Sequence, residues 1–134
     1  MKKILSLFLG FSFLIACGIP LVKNTTIYKI SSPDIAEVYY GKMLNVLSEL
    51  DWIIEKTDKP SLFIQAKKLT SGEAFSAVLG GEPGYHLVNI NFISKDEEIV
   101  LNIQVSQPGK IVKYTTVCKK LMNEIVKKFE EKIK

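Results

Sequence analysis

Hydrophobic and polar positions divide the chain into an apolar run near its start and a longer region with two distinct periods. The run is Ile4 to Ala16, broken only by Ser6, Gly10 and Ser12. Thr25 to Ser31 is rich in β-branched residues and predicts a first edge strand. Ser32-Pro33-Asp34 is a helix start: a capping hydroxyl, a proline suited to the first helical position, and a carboxylate at the positive end of the helix dipole. Ile35, Tyr39, Met43, Val46, Leu47 and Leu50 then recur at helical spacing and predict one apolar face ending near Leu50. Gly41 within that helix costs about 1 kcal/mol relative to Ala. A close approach to a sheet would account for it, as would chance.

Strand-like periods follow. Trp52 to Lys56 and Ser61 to Lys68, separated by Thr57-Asp58-Lys59-Pro60, read as a hairpin in which Leu62, Ile64 and Ala66 alternate with Phe63, Gln65 and Lys67. Glu73 to Leu79 fits a strand, a single helical turn or a loop, and leads into Gly80-Gly81-Glu82-Pro83-Gly84. From Tyr85 to Ser94, the positions His86, Val88, Ile90 and Phe92 share one face. After the charged turn Lys95-Asp96-Glu97-Glu98, Ile99, Leu101, Ile103 and Val105 do the same. Such alternation fits an antiparallel sheet with one wet face. A last helix is expected from Ile111 to Lys132, with Val117, Cys118, Leu121, Met122, Ile125, Phe129 and Ile133 as its stripe. The order β-α-β-β-(β)-β-β-α predicts an α+β fold of two layers. An antiparallel sheet of about four to five strands would carry both helices on one face, burying each stripe once. On element order alone this is similar to small accessory lipoproteins of outer-membrane assembly.

The opening run is an address rather than part of that fold. Lys2 and Lys3 precede it, and a positive start followed by a short apolar stretch is the pattern of a secretory signal. A transmembrane helix needs about 20 apolar residues, more than this run supplies. Its end, Leu14-Ile15-Ala16-Cys17, resembles the lipobox of bacterial lipoproteins. The resemblance implies cleavage between Ala16 and Cys17 and a diacylglycerol on the Cys17 sulfur. The chain then divides into a cleaved signal (1–16), a lipidated N-terminus with a short tether (17–24) and a single domain (25–134). Pro20 breaks any helix in the tether. One acyl chain anchors only marginally, whereas two or three on one residue hold a protein stably. Gly18 stands where an aspartate commonly marks inner-membrane retention. The resemblance therefore implies the outer membrane, facing the periplasm, in a two-membrane bacterium. In a single-membrane organism it implies the outer face of the cell membrane.

Composition narrows the remaining chemistry. Without Lys2 and Lys3, 16 lysines face 14 acids and arginine is absent, which disfavours bidentate phosphate recognition and nucleic-acid binding. With Cys17 assigned to lipid, Cys118 has no disulfide partner and reads as a small buried hydrophobe. His86 is the only histidine, no metal-ligand spacing accompanies it, and its phase puts it on the apolar face. No metal and no cofactor are expected. Gly80 to Gly84 lacks the spacing of a phosphate-binding loop and reads as a contact loop, with Phe75, Val78 and Leu79 as its apolar contacts and Gly80, Gly81, Glu82, Gly84 and His86 beside them. The expectation is a non-enzymatic envelope lipoprotein that binds another envelope protein or component. The alternative is a periplasmic small-ligand carrier or enzyme using a cleft near His86 and Gly80–Gly84.

Overall fold

A computed structural model of the chain describes residues 21–29, 35–70, 84–108 and 115–134. The elements are β1 (Leu21–Lys29), α1 (Ile35–Glu49), β2 (Ile53–Asp58), β3 (Phe63–Leu69), β4 (Tyr85–Lys95), β5 (Glu98–Ser106) and α2 (Thr115–Ile133). The strands form one antiparallel sheet in the order β1-β5-β4-β3-β2. The fold is α+β, as the element order predicts. Glu73–Leu79 lies outside the described residues.

Alternation decides the two faces of the sheet. Ile64, Ala66, Val88, Ile90, Phe92, Ile99, Leu101, Ile103 and Val105 all point inward and are buried. The helices cover that face. The core stripe of α2 is Cys118, Met122, Ile125 and Phe129, and that of α1 is Ala36, Tyr40, Met43, Val46 and Leu47. At the centre sits Phe129. Its ring meets Tyr28 of β1, Tyr39 of α1 and Phe92 of β4, with centroids 5.9, 5.6 and 5.9 Å away. The first two meet it edge to face, a favoured arrangement of aromatic quadrupoles. Around this contact the two helices exchange polar links: Lys128 and Lys132 pair with Glu49, and the Lys42 ammonium donates to the Lys132 carbonyl at 2.7 Å. These ion pairs are largely solvated and add little beside the buried stripe.

The end of α1 is a Schellman motif. Trp52 N–H donates to Leu47 C=O at 2.9 Å and Asp51 N–H to Ser48 C=O at 3.2 Å, with Asp51 at φ 59° in the left-handed position that glycine usually takes. Trp52 and Leu47, the two apolar residues such a motif brings together, are both buried. Lys68 completes the cap by donating to the Leu50 carbonyl at 2.6 Å. This accounts for a chain reversal where the sequence offers no glycine.

Four expectations change. β1 begins at Leu21, so Leu21–Asn24, assigned to the tether, pair with Ile103–Ser106 of β5. The second strand begins at Ile53, because Trp52 is spent on the helix cap, and runs through Thr57 and Asp58, so the turn is Lys59–Leu62, with Leu62 at φ 52° outside the strand. Val117 is 42% exposed: it neighbours Cys118 on the helix, and only one of the two can face the core. Gly41 makes no close approach, since a Cβ placed there meets nothing within 4 Å. Gly41→Ala is therefore expected to stabilise the domain by about 1 kcal/mol. A rise in the urea midpoint at unchanged slope is the readout, and an unchanged or lower midpoint would contradict the open space.

Candidate functional site

Among the described residues the inward side chains of the sheet are buried under the two helices, so the surfaces left for contact are the other face of the sheet, its ends and the outward sides of the helices. On the outer face the strand registers line up two rows of side chains. One is Thr25–Asn102–Asn91–Phe63, and the other is Lys23–Gln104–Asn89–Gln65. Together they line a shallow trough of about 540 Å³ across β1, β5, β4 and β3. Five of the eight are amides. Thr25 Oγ1 donates to Asn102 Oδ1 at 2.8 Å, and Gln65 Nε2 donates to Asn89 Oδ1 at 2.9 Å. Asn91 and Gln104 make no side-chain hydrogen bond among the described residues, and so hold donors and acceptors toward solvent.

Charge and apolar surface sit at the margins of this band. The row Ile27–Val100–Ile93 flanks it on one side, with Ile27 58% exposed. On the other side lies the row Ser106–Leu87–Lys67–Ile53, where Lys67 pairs with Glu55 at 2.5 Å. A second, smaller hollow beside Leu62 is bordered by the exposed Lys59–Glu37 pair, 3.0 Å apart.

The residues singled out from the sequence fall elsewhere. His86 is buried on the inner face, in register with Lys68, and the trough opens on the opposite side of the sheet. Gly84 accepts hydrogen bonds from Thr70, from its N–H at 3.1 Å and its Oγ1 at 2.9 Å, which closes the end of the β3–β4 pair. Phe75, Val78, Leu79, Gly80, Gly81 and Glu82 lie outside the described residues, as do Ala16 and Cys17. Among the described residues no group of His, Cys, Asp or Glu could hold a metal, and no helix is long and apolar enough to cross a membrane. Sequence reasoning missed the amide band, although its signal was present: Asn89, Asn91, Asn102 and Gln104 occupy the polar phase of the two most regular strands.

Cys118 is fully buried, and burial pushes its thiol up from 9.0. Burial also raises Tyr28 from 10.0, reinforced by the negative charge of Glu130. In each case the unfolded chain gives up its proton first as pH rises. Stability is therefore fully present below the ordinary value and is lost as pH climbs through the shifted one. Thermal melts should show a midpoint that falls above about pH 9, the fall beginning later in Cys118→Ala and being shallower at the highest pH in Tyr28→Phe. Identical pH profiles for all three proteins would contradict the assignment.

No family model matches the sequence, and no curated protein matches it. Solved structures do. The crystal structure of Ara h 8.0201 superposes with a TM-score of 0.53 at 9% identity, covering 84% of this chain and 97% of that one. A protein from Nitrosospira multiformis gives 0.48 at 8% identity, over 81% and 93% of the two chains. A DUF4468 family protein from Bacteroides ovatus gives 0.39 at 12%, over 85% and 90%. The first of these shows a shared helix-grip arrangement, and at that identity it shows the fold alone.

Proposed function

We propose that this chain is a lipid-anchored envelope protein whose domain works as a non-enzymatic binding module, with the outer face of its sheet as the contact surface. The anchor is the diacylated Cys17, which the sequence Leu14-Ile15-Ala16-Cys17 supports. The location is the bacterial cell envelope: the periplasmic side of the outer membrane where there are two membranes, and the outer face of the cell membrane where there is one. The partner is another envelope protein or a component of the envelope.

The observation that carries the binding role is the composition of the trough. Its centre holds uncharged donors and acceptors, with Phe63 at one side and Lys23 at the other. Neutral amides bind by matching hydrogen bonds and do not supply a nucleophile or a proton at ordinary pH. His86 and Cys118, the histidine and the free thiol among the described residues, lie buried away from the trough. A concave polar surface beside an aromatic ring is the arrangement by which a domain holds a partner in one orientation.

Two experiments test the two halves separately. Cys17→Ser is expected to abolish incorporation of labelled palmitate and to release the chain from the membrane fraction, and unchanged labelling rejects the anchor. For the binding face, envelope components crosslinked to the full chain are compared with those crosslinked to an Asn91→Ala, Gln104→Ala double variant. Loss of a defined product, with the unfolding midpoint preserved, supports the outer face. The same products at the same yield from both proteins reject it.

A further inference from the structure

The start of β1 limits how far the domain can stand from its anchor. Leu21 is the first residue of the sheet and follows Cys17 by four positions. Fully extended, four residues span at most about 14 Å. A lipidated residue sits at the base of the headgroup layer, which is about 6 Å deep on each side of a bilayer. Leu21 therefore lies within about 8 Å of the headgroup surface.

The sheet projects further on that side. Leu21 is level with Ser106, Leu87, Lys67 and Ile53 across the five strands. β3 and β4 continue beyond this row to the pair Leu69–Tyr85, two residues or about 7 Å nearer the membrane. This end of the outer face presents open apolar side chains around the Lys67–Glu55 pair: Ile53 is 49% exposed, Leu69 48% and Tyr85 36%. Resting a tyrosine and two aliphatic side chains on a headgroup layer is the usual habit of an interfacial surface.

We infer that the domain docks end-on against the bilayer, with Ile53, Leu69 and Tyr85 seated in the headgroup layer beside the tether. The inference rests on the anchor proposed at Cys17. The opposing apolar row, Ile27–Val100–Ile93, points into solvent, because Ile27 is six residues or about 20 Å further along β1. The amide band between the two rows stands clear of the lipid, which keeps its uncharged hydrogen-bonding groups hydrated until a partner arrives.

Spin labels on the full lipidated chain test this. Cysteine is introduced at Leu69 or at Ile27 in a Cys118→Ala background, and the proteins are reconstituted into phosphatidylethanolamine–phosphatidylglycerol vesicles. The label at position 69 is expected to collide several-fold less often with an aqueous nickel complex, and more often with oxygen, than the label at position 27. Equal aqueous exposure at both positions in vesicle-bound protein overturns the docking while leaving the anchor intact. Equal protection at both means the sheet lies flat, and overturns it as well. Failure of the chain to sediment with the vesicles rejects the anchor itself, and the docking with it.

Discussion

Everything else in the domain depends on the side of the sheet that Phe129 occupies. A single ring touches β1 through Tyr28, β4 through Phe92 and α1 through Tyr39, so one buried side chain joins the last helix to the first helix and to both halves of the sheet. Deleting a buried phenylalanine typically costs 3–5 kcal/mol. That is a large share of the stability available to a domain of this size, which is of order 5–15 kcal/mol. The surface pairs of Lys128 and Lys132 with Glu49 then align helices that are already held by the core.

Concentrating the packing on one face has a functional consequence. His86 on the inner face and Cys118 on the helix that covers it are both buried. Among the described residues, the outer face of the sheet, its ends and the outward sides of the helices are the surfaces left open to a partner. On the outer face amides occupy the centre, and the margins mix apolar side chains with charge: Lys29–Glu98–Lys95 lies beyond Ile27–Val100–Ile93 at one end, and the Lys67–Glu55 pair sits beside Ile53 at the other. The uncharged centre differs from the evenly mixed Lys and Glu of a merely solvated surface, and the helix exteriors of this same chain show that mixed pattern, as in Lys127, Lys128, Glu130 and Glu131.

The sequence made the inner face legible because a strand's period of two leaves little choice. Every inward position named for β4 and β5 is buried. Helical phase was less sharp. Ile35 and Tyr39 were favoured over Ala36 and Tyr40, yet the latter are the fully buried pair, and their spacing to Met43 and Leu47 is the more regular one. Adjacent apolar residues lie 100° apart on a helix, and the pattern alone cannot say which faces the sheet. The helix C-cap at Asp51 was hidden because glycine, the usual signal, is absent. The trough was hidden for a different reason. Its rows join residues up to 81 positions apart, Thr25 with Asn102 and Lys23 with Gln104, and only the pairing register brings them together.

The start of β1 shows how a small boundary shift changes a functional argument. With a tether reaching to Asn24, eight residues would separate lipid from fold and allow the domain to turn freely over about 28 Å. With pairing from Leu21 that freedom is halved. The hydrogen-bonded ladder between Leu21–Asn24 and Ile103–Ser106 fixes where on the sheet the tether begins. In the docking proposed above, orientation becomes a property of the sheet: its Leu69–Tyr85 end faces the lipid and its amide band stands at a set height. On that proposal, a domain so placed would meet a partner with much of the orientational entropy already lost on anchoring. Preorganisation of that kind lets a shallow, uncharged surface bind usefully without deep pockets or strong charges.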